Sequence, residues 1–157
     1  MSNARARLKE LGIVLPPAVA PLGSYVPTVQ VGSLVFVSGQ LPRQGDVLIK
    51  GKLGADVSLE TGRNAARTAA LNGLAALDAA VGLDRVKRIV KLMVVVACVP
   101  GFTDQPQVAN GASDLMVEVF GDAGRHARLA VSAPVLPADA CVEVEMIAEV
   151  EATDERS

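Results

Sequence analysis

In 157 residues there is no tryptophan, one tyrosine, three phenylalanines, one histidine and two cysteines. Each scarcity removes a class of function. So few aromatics leave little to build a platform on which bases stack. A net charge of −2 lacks the concentrated basic surface that non-specific nucleic-acid binding needs. The lone His126, with Cys98 and Cys141 far apart and no CxxC pair, falls short of the usual zinc ligand count. Two isolated cysteines in apolar segments read as reduced core residues. The longest apolar run, "LMVVVACV", is well short of a membrane span. No charged-then-apolar signal opens the chain, so the cytoplasm is the expected compartment, with neither a membrane nor a nucleic acid as partner.

What is present is a large stock of small aliphatic residues. Half the chain is hydrophobic, mostly Ala, Val and Leu, and a fifth is charged, the balance of one soluble globular domain. That domain is expected over 1–157, with an N-terminal extension over 1–24 carrying a short helix, a core over 25–151 and a tail over 152–157. The helix, Ala4 to Leu11, stops at Gly12 and the Pro16-Pro17 pair, and its basic residues read as a solvated face. "TVQVGSLVFVSG" holds two β-favouring runs split by Gly32-Ser33, a tight hairpin, and an extended piece follows at Val47 to Ile49.

Ser58 can cap a long helix through Val81, in which Ala66, Ala70, Leu74, Leu77 and Val81 recur at helical spacing. Gly82 ends it. "DRVKRIVKLMVVVACV" reads as a long strand. A second helix spans Gln105 to Phe120, capped by Asp104 or Thr103, and Gly121 to Gly124 breaks it. Strands at Arg128 to Val135 and Cys141 to Val150 close the order β-β-α-β-α-β-β. The economical fold is α/β of the α+β kind: a single sheet with two long helices on one face.

In the last strand Val142, Val144, Met146 and Ala148 alternate with Glu143, Glu145, Ile147 and Glu149. The apolar set must face the helices. The neighbouring strand, "VKLMVVVACV", is apolar on both faces in its C-terminal half, and no element of the chain is left to cover the second face. Another copy of the chain could cover it.

No phosphate loop, nucleophile elbow or dinucleotide fingerprint occurs. The candidates are single residues. In "GRHARLAV", Arg125, His126 and Arg128 stand before a strand, either as a solvated lip or to hold an anion. An arginine's planar fork fits a carboxylate with two parallel hydrogen bonds. Glu145, if desolvated, could shuttle a proton near neutral pH. Ser38 and Gly39 lie at a strand end, where a bare glycine admits a ligand. Tyr25 lies in a Gly/Pro-rich loop and is either a packing lid or a ligand contact.

The motifs "GSYVPTVQVGSLVFVSGQLP", "NGLAALDAAVGLDRVKRIVKLMVVVACVPGF", "VANGASDLMVEVFG", "GRHARLAV" and "LPADACVEVEMIAEV" together resemble the RidA family, also called YjgF/YER057c/UK114, over almost the whole chain. The "NGASDL" and "GRHAR" wording looks like a longer subgroup of it. The resemblance implies a chorismate-mutase-like domain of the bacillary type, a homotrimer with sheets inward and helices outward, and sites between subunits. It implies hydrolysis of enamines and imines such as 2-aminoacrylate and 2-iminopropionate to 2-oxo acids and ammonia, with no cofactor and no metal. A trimeric binder of small carboxylates is the alternative, and an endoribonuclease is disfavoured by charge and composition. Arg128 matches the family's carboxylate-binding arginine, and Glu145 the acid proposed to position water. Tyr25, Ser38, Gly39 and, with a one-residue gap, Asn110 match cleft positions. Ala130 stands where a small polar residue or cysteine often follows the arginine. His126 replaces a position that is often proline. Both departures bear on substrate range.

Overall fold

Ala4 and Leu8, one turn apart and both buried, give the short helix α1 (Ala4–Glu10) a face to pack against the body of the protein. The computed structural model describes residues 2–152, so the tail expected over 152–157 lies, from residue 153 on, outside the described residues. The polar side of α1 is anchored as well as solvated. Arg5 pairs with Asp78 at 2.7 Å, and Arg7 Nε donates to the Glu118 carbonyl at 2.9 Å.

β1 (Thr28–Val31) and β2 (Leu34–Gln40) form the expected hairpin, with Gly32 at φ +59° in its two-residue turn. The extended piece at Val47 belongs to a second, minimal hairpin, β3 (Arg43–Gln44) with β4 (Val47–Leu48). Helix α2 (Leu59–Val81) starts where Ser58 Oγ accepts the Thr61 N–H at 3.1 Å. Of its predicted apolar face, Ala66, Ala70, Leu74 and Leu77 are buried, while Val81 in the last turn is only partly so.

The long strand begins two residues later than expected. Leu83–Arg85 winds a single 3₁₀ turn, held by Asp78 Oδ1 accepting the Leu83 N–H at 2.9 Å, before β5 (Val86–Ala97) extends. Helix α3 (Gln105–Phe120) follows with Asp104 at its cap position, but no side chain caps it. The Asp104 carbonyl instead accepts from Gln107 and Val108. β6 (Ala127–Ala133) and β7 (Val142–Val150) complete the chain, the turn between them carrying Ala138 and Asp139 at φ 56° and 60°.

The five-stranded sheet has the order β1-β2-β7-β5-β6, so β7 lies in its middle and β6 at an edge. Only the β5–β6 pair is parallel, and α3 is its crossover. Helices α2 and α3 pack on each other and on one face of the sheet. Val142, Val144, Met146 and Ala148 point into that core, as the alternation predicts, with Leu92, Val94 and Val96 beside them. Cys98 and Cys141 are buried free thiols, and burial raises the Cys141 thiol to about 11.

Among the described residues nothing lies over the opposite face. The registers place Val29, Val31, Leu34 and Phe36 there from the hairpin, Ile147 from β7, and Leu129 and Val131 from β6. Phe36 and Leu129 are each 43% exposed and Val31 63%, large apolar side chains turned outward on both sides of Glu143 and Glu145.

Candidate functional site

Arg128 sits opposite Leu92 in the parallel register and Ala130 opposite Val94, both core residues, so the guanidinium leaves the sheet on the helix side. α3 stands over it because α3 and α2 approach closely at Gly111, where a Cβ would strike the Arg63 carbonyl oxygen. The side chains of α3 that face β6 are Asn110 and Ser113. Arg128 Nη1 donates to Asn110 Oδ1 at 2.7 Å and to Ser113 Oγ at 3.2 Å. His126 joins the group through Ser113, its Nε2 lying 2.8 Å from Ser113 Oγ and its Nδ1 2.6 Å from the Gly124 carbonyl oxygen. Burial first, and then the charge of Arg128, hold His126 below its ordinary pKa, against the opposing pull of the Gly124 hydrogen bond. Arg125 turns away to Asp122 at 3.4 Å.

A second group lies across the sheet. β2 is irregular between Val37 and Gln40, which sets Ser38 and Gly39 out of the ladder. Ser38 Oγ donates to the Val26 carbonyl at 2.7 Å and so pins the loop that carries Tyr25. The Tyr25 hydroxyl accepts from Leu22 N–H at 3.4 Å. Tyr25 and Gly39 line one cavity of about 80 Å³, floored by the buried Asn72, whose amide holds the Leu41 and Arg43 carbonyls. Ser38 and Glu145 line a separate depression of about 240 Å³ against Val29, Phe36 and Ile147.

Glu145 is exposed; its neighbour two residues back is not. Glu143 is half-buried and its carboxylate lies against Gly39, where a Cβ would meet Oε1. Burial, and next the charge of Glu145, raise the Glu143 carboxyl above its ordinary pKa. Period-two alternation marks Glu143 and Glu145 equally, so only the β2 irregularity, which brings Gly39 under one of them, tells them apart. Ser113 is the other residue not singled out above. Its signal was a hydroxyl three residues after Asn110 on a helix, and hence on the same face.

The sequence-predicted residues therefore fall into two groups. Arg128, Asn110, His126 and Ala130 are together at the β6 edge; on the β2–β7 side Tyr25 and Gly39 share one cavity, and Ser38 and Glu145 line another. Arg128 leaves the helix face of the sheet, and Glu143 and Glu145 leave the opposite one. A groove of about 710 Å³ lies remote from both, between α1, the end of α3 and the start of β5. Its Arg7 and Lys87 are engaged with the Glu118 carbonyl and Glu149. Among the described residues no three His, Cys, Asp or Glu side chains gather as a metal site, and no helix is long and apolar enough to cross a membrane.

The sequence pattern of the family described as "YjgF/chorismate_mutase-like, putative endoribonuclease" matches residues 5–150. The chain belongs to this family. Its match spans α1 to β7, so the N-terminal helix lies within the family pattern. Trypanosoma cruzi protein TCP17 is 51% identical over 148 residues, 92% of each chain. Among solved structures, Atu1372 of Agrobacterium tumefaciens is 42% identical, covers 94% of this chain and 92% of its own, and superposes with a TM-score of 0.87. E. coli TdcF with bound serine is 30% identical, covers 85% of this chain and 94% of its own, with a TM-score of 0.61. The YjgF/chorismate-mutase-like fold expected from the motifs is thus the fold of this chain.

Proposed function

We propose that the protein hydrolyses small 2-imino acids of the 2-iminopropionate type to 2-oxo acids and ammonia, without a cofactor, in clefts between the copies of a homotrimer. The observation that carries this reading is the fixed guanidinium of Arg128 at a sheet edge, aimed by Asn110 and Ser113 and suited to a carboxylate. The serine bound to TdcF has the α-carboxylate and α-nitrogen that such a substrate also has.

In the proposed reaction Arg128 holds the carboxylate, and the backbone at Gly39 and Ala130 orients the substrate beneath Tyr25 and Ser38. Water adds to the C=N carbon of the iminium as Glu143 takes its proton, and Glu143 then passes that proton to the amine nitrogen. The carbinolamine then collapses to C=O and expels ammonia. A carboxyl raised towards neutrality can both accept and return that proton. Glu145 sustains the shift through its charge and borders the water. Because Arg128 and Glu143 leave opposite faces within one chain, clamp and acid come from different copies, Glu143 from the copy whose apolar sheet face meets the Arg128 edge of the next.

The test is ammonia release from freshly generated 2-iminopropionate. Wild type accelerates it, Glu143→Gln loses about 100-fold or more, and Arg128→Ala raises KM sharply. No acceleration over buffer overturns the reading. Light scattering at three times 16.2 kDa checks the assembly. The separation of clamp and acid favours a second reading, a carboxylate binder without turnover; pyruvate binding with no ammonia release decides for it. The outer carboxylates and the net charge of −2 oppose an RNA substrate.

A further inference from the structure

A guanidinium has five N–H donors: one on Nε and two on each terminal nitrogen. In Arg128 both Nη1 hydrogens are committed, one to Asn110 Oδ1 at 2.7 Å and one to Ser113 Oγ at 3.2 Å. Arginine only donates, so it meets the oxygen of the Asn110 amide and a lone pair of Ser113. The Arg128 side chain makes no other hydrogen bond or ion pair among the described residues.

The next links fix the direction of the chain. A carbonyl only accepts, so His126 Nδ1, 2.6 Å from the Gly124 oxygen, carries a hydrogen. In the neutral ring that leaves Nε2 as an acceptor, and the Ser113 hydroxyl, 2.8 Å away, donates to it. Half-burial, and then the charge of Arg128, favour the neutral ring. With its proton turned towards His126, Ser113 offers Arg128 only lone pairs. Every bond from Arg128 through Ser113 and His126 to Gly124 therefore runs one way.

We propose that Asn110, Ser113 and His126 are a positioning relay that holds the Nη1 end of Arg128, so that its Nε–H and Nη2–H edge is the fork that takes the substrate carboxylate. This rests on the reading of Arg128 as the carboxylate clamp. It assigns His126 a place behind the arginine rather than against the ligand, and it brings in Ser113. The open edge keeps two parallel N–H groups, the geometry that meets a carboxylate with two hydrogen bonds. A free Nη1–Nη2 end would present itself in several orientations. A held Nη1 allows one, and the side-chain entropy is lost on folding rather than on binding.

Three measurements test it. In the wild-type protein, ¹⁵N NMR of His126 is expected to show a protonated Nδ1 and an acceptor Nε2; the opposite tautomer overturns the relay without any variant. Calorimetry with pyruvate is expected to give a Kd raised about 10-fold in Ser113→Ala, as for loss of a hydrogen bond to a charged group, and largely restored in Ser113→Thr, which keeps the hydroxyl. In turnover, Ser113→Ala raises KM more than it lowers kcat. Arg128→Ala that binds pyruvate as wild type does overturns the clamp reading itself. Arg128→Ala that fails to bind, beside a Ser113→Ala that binds normally, overturns the relay alone.

Discussion

Gly111→Ala sets two opposing effects against each other at one atom. Inside a helix, alanine is favoured over glycine by about 1 kcal/mol. Here, however, the added Cβ would lie 2.8 Å from the Arg63 carbonyl carbon and 3.1 Å from its Cα. Carbon atoms rest at about 3.5 Å or more, so these contacts alone require α2 and α3 to part by roughly 0.7 Å, and the Arg63 carbonyl oxygen, nearer still, requires more. Overpacking costs about 1–3 kcal/mol, and backbone cannot rotate aside, which points to the upper half of that range. The net loss is about 1–2 kcal/mol, a fall in Tm of roughly 2–8 °C for a chain of this length. Gly73→Ala is the matched control, because its Cβ would meet the end of the Met146 side chain, which can swing. Thermal denaturation of the two variants beside wild type gives the answer. A Gly111→Ala protein as stable as Gly73→Ala refutes the close-approach argument. Because Asn110 and Ser113 flank the displaced position, pyruvate affinity is expected to fall with stability in Gly111→Ala only.

Ser58→Ala removes the acceptor of the Thr61 N–H and is expected to cost about 1 kcal/mol, read as a lower denaturation midpoint at unchanged m. Asp78→Ala is expected to destabilise more than Arg5→Ala, because Asp78 holds both Arg5 and the Leu83 N–H; equal losses in the two melts refute this. Glu143→Gln separates stability from turnover. The Glu143 carboxyl is raised in the fold, so the folded protein keeps a proton that the unfolded chain has lost, and stability falls as pH rises through that window. The Gln variant is therefore expected to melt above wild type at pH 7 and level with it near pH 4, while losing activity throughout. A lower Tm at pH 7 would show that the charge is not strained there.

Helical and alternating patterns made most of the fold legible. Leu74 and Leu77, or Val142 and Met146, declare their faces because each face has a single medium to meet. Boundaries were less legible where one side chain intervenes: Asp78 takes the Leu83 N–H and delays β5. At the site, residue types were readable but their company was not. Ser113 and His126 are thirteen positions apart and meet only because α3 crosses over to place β6 parallel to β5. Glu143 and Glu145 are equivalent in pattern, and a defect in a strand a hundred residues earlier distinguishes them. Both facts belong to pairing across the sheet, which local pattern does not encode.

The central position of β7 has a consequence for how the chain is made. Until residues 142–150 have been synthesised, the β1–β2 hairpin and the β5–α3–β6 unit have no strand to join them. Each must wait with an unpaired edge and an open apolar side, the condition in which nascent chains associate wrongly. The contacts that close the sheet link residue 36 to 147, so closure belongs to the late and slower part of folding. A chain cut ahead of Val142 is thus left with two half-sheets and no strand between them, and the nine residues of β7 are what make them one sheet.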